Sequence, residues 1–223
     1  MSDFFEPPPP AEPPPPRRPA PPWRHAPSGT LPGVIALELV MAQTERVAVC
    51  VTRLDAYPSG FELELVTLAA VESEGDQLDP MLFGGRHGPG SRRSADGGIP
   101  TDMLRFGVEF ANRAKATNTA GRPGSIDAEP TGPVLSAGGG GGGGGNWRQS
   151  VWVWPLPPPG PLTFVCEWPA AGVALTRHQI DAQLVLDAAS RSQAIFSDGG
   201  RSAASGRFHS YGPMSQARGS GER

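Results

Sequence analysis

Residues 147–168, WRQSVWVWPLPPPGPLTFVCEW, hold four of the chain's five tryptophans and set its architecture. The segment contains two short apolar runs joined by a turn of prolines and a glycine. Side chains in a strand point alternately to opposite faces, so Val151 and Val153 share one face and Trp152 and Trp154 share the other. The segment therefore predicts a pair of antiparallel strands, and no catalytic motif lies in or near it.

The same alternation recurs upstream of this pair. Apolar residues alternate with charged ones in FELELVTLAAV, which follows the turn YPSG at 57–60, and in LRFGVEF at 104–110. Such alternation is typical of strands with one buried face. Asn112-Arg113 falls where a two-residue hairpin turn is expected. The seven predicted strands are 34–42, 46–54, 61–71, 103–111, 114–118, 147–156 and 161–168.

Seven strands separated by turns predict a mainly β protein, built as a single antiparallel β-sandwich with a C-terminal helix. An immunoglobulin-like sandwich is one form of this fold. That form would allow a disulfide between Cys50 and Cys166 across the two sheets. A reducing compartment would instead leave both thiols free, as small buried apolar groups.

A capping pattern predicts where the helix begins. Thr176 and Gln179 have the spacing of a capping box, and apolar residues follow at three- and four-residue intervals. We therefore expect one helix, or two short ones, within 177–196. His178 would lie in the first turn and face solvent.

Glycine and proline divide the chain into segments. Thirteen prolines precede residue 34, and eight consecutive glycines fill 138–145. Such composition predicts polyproline II or disordered segments that bury no core. The glycine run in particular lacks the lysine and the helix of a phosphate-binding loop, which favours a slack connection. The prediction is a disordered arm at 1–33, a folded domain at 34–196 with flexible insertions at 72–98 and 119–145, and a disordered tail at 197–223.

Charge and hydropathy argue against two classes of partner. The chain has a net charge of −3 and an isoelectric point near 5.8, without the basic stripe typical of nucleic-acid binding. No apolar run approaches the ~20 residues that span a bilayer, and the N-terminal sequence is acidic and proline-rich rather than apolar. We therefore expect a cytoplasmic protein that binds neither nucleic acid nor membrane.

The chemistry-bearing residues do not form a recognisable catalytic pattern. Of the four histidines, His25, His87 and His209 lie in segments predicted to be disordered or flexible, where a fixed metal or base site is improbable. Glu62 and Glu64 are explained by the exposed face of a strand. The sequence therefore predicts no enzyme, no cofactor and no metal site.

Two binding hypotheses remain from the sequence. The first is a non-enzymatic protein–protein interaction or scaffold module, with contact through the sandwich surface or through the proline-rich arm, whose PxxP spacing lies beside Arg17 and Arg18. The second is a small carbohydrate-binding module in which Trp152 and Trp154 form a stacking platform. The competing interpretation of these two tryptophans is that they are core residues. Their burial therefore separates the alternatives.

Four short segments together resemble a known group of proteins. YPSGF at 57–61, LRFGV at 104–108, WVWPLPPPG at 152–160 and FVCEWP at 164–169 are similar to a group of uncharacterised proteins from high-GC Gram-positive bacteria. The resemblance covers most of the chain predicted to fold. It implies no activity and gives no residue a role.

Overall fold

A computed structural model describes residues 21–70, 98–120 and 128–196. Within these ranges the protein is a sandwich of two antiparallel β-sheets with one helix, which confirms the predicted fold class. What the sequence predicts for residues 1–20, 71–97, 121–127 and 197–223 lies outside the described residues.

The described residues form eleven strands and one α-helix. A short 3₁₀ turn, Pro169–Ala171, precedes the last long strand. The elements are β1 (Thr30–Leu31), β2 (Gly33–Gln43), β3 (Val47–Tyr57), β4 (Gly60–Ala69), β5 (Arg105–Glu109), β6 (Lys115–Thr117), β7 (Val134–Gly143), β8 (Asn146–Trp154), β9 (Pro161–Trp168), β10 (Val173–Asp181), α1 (Gln183–Ser190) and β11 (Gln193–Ala194).

Two sheets enclose the core. The larger has the order β2-β3-β4-β8-β7 and the smaller the order β10-β9-β5-β6, and β1 pairs separately with β11. Alternate residues of each strand point between the sheets, where Phe106 and Phe164 stack with their ring centroids 6.4 Å apart. The alternation predicted for β4 is confirmed, since Leu63 is buried in this layer and Glu62 and Glu64 are not. In β5 the predicted inward residue Val108 is buried, but Gly107 and Glu109 on the other face are buried too.

The strand order differs from that of an immunoglobulin domain. There, the second and third strands of the chain lie in different sheets. Here β2, β3 and β4 follow one another as a meander within the larger sheet. The meander forms because short polar turns connect strands that each have one apolar face.

Both cysteines are free. Cys50 is half-buried on the outer face of β3, whereas Cys166 is buried on the inner face of β9, so the two thiols point into different layers. The disulfide alternative is therefore wrong. Burial raises the pKa of both thiols, which keeps them protonated and weakly nucleophilic at neutral pH.

The predicted helix at 177–196 is wrong over its first part. Residues 173–181 form β10, which pairs with β9, and only Gln183–Ser190 is helical. Thr176 does not cap a helix: its hydroxyl lies 3.1 Å from the thiol of Cys166. The open edge of β9 needs hydrogen-bond partners, and this tertiary pairing overrides a local capping signal.

His178 consequently lies on a strand and does not face solvent from a first helical turn, as predicted. It is half-buried, and its Nε2 lies 3.0 Å from the carbonyl oxygen of Met41 on β2. The contact joins an edge strand of the smaller sheet to an edge strand of the larger one. His178 is therefore a structural residue of the sandwich.

The predicted disordered arm is wrong for residues 21–33. Thr30 pairs with Ala194, and Gly33 begins β2. Upstream of these strands, Pro22 and Trp23 contact two tryptophans of β8. Tertiary contacts with distant residues order this part of the arm, and the sequence pattern of the arm itself gives no sign of them.

The glycine run is also a strand rather than a slack connection. Gly138–Gly143 belong to β7, which pairs with β8 at the edge of the larger sheet. Gly144 and Gly145 have φ angles of 60° and 79°, the left-handed conformation of a tight hairpin turn that favours glycine. Because β8 supplies a ladder of partners, the run pairs although glycine has little intrinsic strand preference.

Candidate functional site

A polar groove of roughly 360 Å³ lies on the outer face of the larger sheet. Its charged side chains point outward from β3, β4 and β8, and the glycines of β7 form its remaining border. The groove exists because three neighbouring strands carry polar residues at outward positions while the fourth strand borders it with glycines. Its principal residues are Arg53, Asp55, Glu62, Glu64, Arg148, Ser150 and Gly139–Gly141.

The glycines of β7 are not equivalent. A Cβ added to Gly139 or Gly141 would meet no atom within 4 Å, so the space at these positions is open. A Cβ on Gly142 would lie 2.0 Å from the carbonyl oxygen of Asn146, and one on Gly140 would lie 2.6 Å from Oε1 of Gln149. Glycine at 140 and 142 therefore allows close packing, whereas glycine at 139 and 141 leaves the groove open.

Gln149 fixes the backbone beside the groove. The pairing of β7 with β8 shifts register between Ala137 and Gly140. At this shift the Gln149 amide donates to the carbonyl oxygens of Gly138 at 2.8 Å and Gly139 at 3.2 Å. Gln149 is only 7% exposed, so its hydrogen bonds satisfy groups that the irregular ladder leaves unpaired.

Two ion pairs organise the charges of the groove. Arg53 Nε lies 2.6 Å from Oδ1 of Asp55, and Arg148 Nη1 lies 3.1 Å from Oε2 of Glu64. The hydroxyl of Thr52 donates to the same oxygen of Glu64 at 2.5 Å. These contacts lower the pKa of Glu64, the Thr52 hydrogen bond most of all and the two arginines less.

Glu62 has the opposite environment. It lies directly across from Asp55 in the β3–β4 ladder, and among the described residues no ion pair reaches it. Burial raises the pKa of Glu62, and the charge of Asp55 raises it further, against a hydrogen bond from Ser150 and the charge of Arg53. The pKa values of two carboxylates on one strand are therefore shifted in opposite directions from the usual glutamate value.

This difference gives a testable pair of variants. Glu62→Gln should raise the thermal unfolding midpoint at pH 7, because ionised Glu62 costs stability until the pH falls through its raised pKa. Glu64→Gln should lower the midpoint, because Glu64 contributes stability above its unfolded pKa and loses that contribution as the pH falls through the lowered value. As the pH approaches about 4, the usual range of a glutamate, the Glu62→Gln difference should shrink, whereas the Glu64→Gln difference should largely persist because the pKa of Glu64 lies below its usual value. Thermal unfolding followed by circular dichroism from pH 7 to 4 measures this, and shifts of the same sign at pH 7 would contradict the assignment.

The two tryptophans predicted as contact residues lie at one end of the same outer face. Trp152 is only 1% exposed although it is not part of the core between the sheets, and Trp154 is half-buried. The Tyr57 ring packs edge-on against Trp152 with centroids 5.7 Å apart. The indole Nε1–H of Trp152 donates to the carbonyl oxygen of Pro22 at 3.1 Å. Trp152 is therefore buried on the outer face of the larger sheet, where Tyr57 and the arm contact it, and its ring offers no exposed surface for a sugar in this state.

Sequence reasoning missed most of the groove. Arg148, Ser150, Trp152 and Trp154 are spaced by two residues, and this spacing alone places them on one face of β8. The neighbours of β8 are β4 and the glycine strand, and the sequence did not indicate either pairing. Without knowledge of those pairings, the sequence cannot show which residues lie beside the glutamates of β4.

Within the described residues, no group of three or more histidine, cysteine, aspartate or glutamate side chains is placed to hold a metal ion. In the same part of the chain, no helix has both the length and the apolar character needed to cross a bilayer.

Comparisons of the chain with protein-family models, with curated proteins and with solved structures return no match. They leave the resemblance to proteins of high-GC Gram-positive bacteria as a prediction.

Proposed function

We propose that this domain is a non-enzymatic protein-interaction module that binds an extended segment of a partner along the outer edge of β7. The observation that carries the proposal is the glycine edge: Ala137–Gly143 are all exposed at the border of the larger sheet. An edge strand presents unpaired main-chain N–H and C=O groups to a further strand. Such strand addition is a common mode of peptide recognition.

The other edges of the two sheets have features that discourage pairing. β2 contains two register shifts, and β6 is only three residues long. β10 carries Arg177 and Asp181. β7 has no charged residue and no proline, and its register shift lies upstream of the paired stretch Gly140–Gly143. Of these four edges, β7 is therefore the one best suited to accept a strand.

The groove would determine which side chains of the added strand bind well. That strand would lie about 5 Å beyond β7, and the open space at Gly139 and Gly141 would let a long side chain cross β7 into the groove. Arg53 neutralises Asp55, whereas Glu62 has no cation of its own among the described groups. A lysine or arginine of the partner is therefore the side chain that the groove favours.

The two free thiols fit a reducing compartment, and we place the proposed interaction in the cytoplasm. A scaffold role, with further contacts through the proline-rich arm, extends the same proposal. The carbohydrate hypothesis stays a prediction from the sequence.

One glycine substitution tests the proposal. Gly141→Gln places a side chain in open space, where it should fill the groove and cover the edge without disturbing the fold. Gly132→Gln is the matched control, because Gly132 also has no atom within 4 Å of an added Cβ and lies outside the groove. Wild type, Gly141→Gln and Gly132→Gln serve as baits for affinity capture from a lysate of cells that make the protein.

The proposal expects a partner captured by the wild type and by Gly132→Gln and lost with Gly141→Gln. Hydrogen exchange should then show that the partner protects the amides of Gly138–Gly143, as main-chain pairing requires. A partner retained equally by all three folded baits would place the interaction elsewhere. If no bait captures a partner, the interaction hypothesis fails.

A further inference from the structure

The second feature of the outer face is an aromatic site, which we define as Tyr57, Trp152 and Trp154. It lies at the other end of β8 from the glycine hairpin, and it is covered in this structure by residues 21–23 of the same chain. The covering segment is a turn closed by the N–H of Arg24, which donates to the carbonyl oxygen of Pro21 at 3.1 Å. Pro22 occupies the second turn position, which proline favours.

The contacts of this turn define a ligand chemistry. Trp152 donates its indole N–H to the carbonyl of Pro22, and the Trp23 ring packs edge-on against Trp154 with centroids 6.0 Å apart. The sheet thus supplies one buried N–H donor and one aromatic ring in contact with the turn. The turn supplies one carbonyl acceptor, a proline and one aromatic side chain.

The covering segment is held by few contacts. Residues 21–28 pair with no sheet strand, and among the described contacts the indole of Trp152 provides their one side-chain hydrogen bond to the sandwich, whereas the carbonyl oxygen of Gly29 already accepts from the N–H groups of Ile195 and Phe196. Gly29, with a φ of +76°, lies between this segment and β1. The segment therefore has less to lose on release than any strand of the sandwich.

Trp152 cannot remain bare when the segment leaves. Its buried N–H would lose its acceptor, and the ring would lose its contact with the turn on the face of the sheet. Any ligand that replaces residues 21–23 must contact the Trp152 ring and offer a carbonyl oxygen to its indole N–H. This requirement selects a peptide with a proline followed by an aromatic residue over a ligand that offers apolar contact alone.

We propose that the aromatic site is a binding site for a Pro-Pro-aromatic turn of a partner protein, and that residues 21–23 are its intramolecular ligand. A segment on the same chain acts as a competitor at an effective concentration of about millimolar or more. The partner therefore binds well only when the resident turn is weakened or displaced. The site is separate from the β7 edge, so each proposal can fail without the other.

The test uses the full-length chain and a fluorescein-labelled peptide of residues 19–26, PAPPWRHA. Trp23→Ala removes the aromatic contact of the resident turn and leaves the sandwich intact. Fluorescence anisotropy should give a Kd for this variant at least tenfold lower than for the wild type. A peptide of the same composition in scrambled order should not bind.

A second substitution identifies the donor. Trp152→Phe, made in the Trp23→Ala background, keeps an aromatic ring and removes the indole N–H. It should weaken peptide binding by about tenfold while the unfolding midpoint stays close to that of Trp23→Ala. Retained affinity would show that the proline carbonyl is not recognised by this donor and would overturn the proposal.

Two further outcomes would also overturn it. If Trp23→Ala is folded and binds neither peptide, or binds both equally, the aromatic site has no preference for the turn. If soluble polysaccharides quench the tryptophan fluorescence of Trp23→Ala while the peptide does not bind, the site is a carbohydrate platform, as the sequence alternative holds.

Discussion

Gly33→Ala should lower the free energy of unfolding by about 3 kcal/mol, the upper part of the range for overpacked sites. A Cβ at this position would lie 1.8 Å from the carbonyl oxygen of Ala188 and 2.5 Å from its carbonyl carbon. Both atoms are backbone atoms of α1, so no side-chain rotation relieves the contact. The helix would have to move away from β2, and Val185 and Ala188, both fully buried, would lose their packing against the core.

Urea unfolding of Gly33→Ala and Gly132→Ala measures this effect against a matched control. Both changes reduce the entropy of the unfolded chain in the same way, but only Gly33 has backbone atoms in the path of the new Cβ. Gly132→Ala should therefore stay within about 0.5 kcal/mol of the wild type, as surface substitutions do. Equal stabilities for the two variants would mean that α1 does not approach β2 this closely.

Asn118→Leu should cost about 4 kcal/mol, because it leaves two buried main-chain groups without partners at about 1–3 kcal/mol each. Asn118 is 2% exposed and follows the last residue of β6. Its Oδ1 accepts from the N–H of Phe106 at 2.8 Å, and its Nδ2 donates to the carbonyl oxygen of Leu104 at 2.7 Å. The side chain thus continues the hydrogen bonding to β5 where the backbone of β6 has stopped.

Asn112→Leu is the control for this substitution. The Asn112 amide accepts one exposed hydrogen bond, from the N–H of Ala114 at 3.1 Å, so its loss should cost less than about 1 kcal/mol. Chemical denaturation compares the two stabilities, and hydrogen exchange should show the Phe106 amide exchanging faster in Asn118→Leu alone. An unchanged exchange rate at Phe106 would contradict the role given to the Asn118 side chain.

The groove shows why a site can be harder to predict than the strands that carry it. The alternation of β4 placed Glu62 and Glu64 outward, and that is where they lie. Their opposite pKa shifts depend on Asp55 and Thr52 of β3, which reach them only through the register of the sheet. A one-residue change of register would exchange inward and outward positions, so the charges of a site depend on the pairing.

The burial of the aromatic site likewise depends on contacts that the sequence does not show. Spacing places Trp152 and Trp154 on one face of β8, and burial distinguishes core residues from a surface platform. Trp152 is buried on the outer face, where its ring packs against Tyr57 and its N–H donates to the carbonyl oxygen of Pro22. The sequence offered no signal for this contact, because the two residues are 130 positions apart and the arm has the composition of a disordered segment.

Side-chain periodicity was enough to predict a mainly β sandwich, because alternation depends only on neighbouring residues and on the need to bury one face of each strand. Pairing with other strands decided the rest. Residues 173–181 have a helix-like pattern but form β10 because they pair with β9, and the glycine run forms β7 because it pairs with β8. The end of the proline-rich arm is ordered by its contacts with two tryptophans. In each case hydrogen bonds and buried area supplied by distant residues outweighed local preferences of about 1 kcal/mol or less per residue.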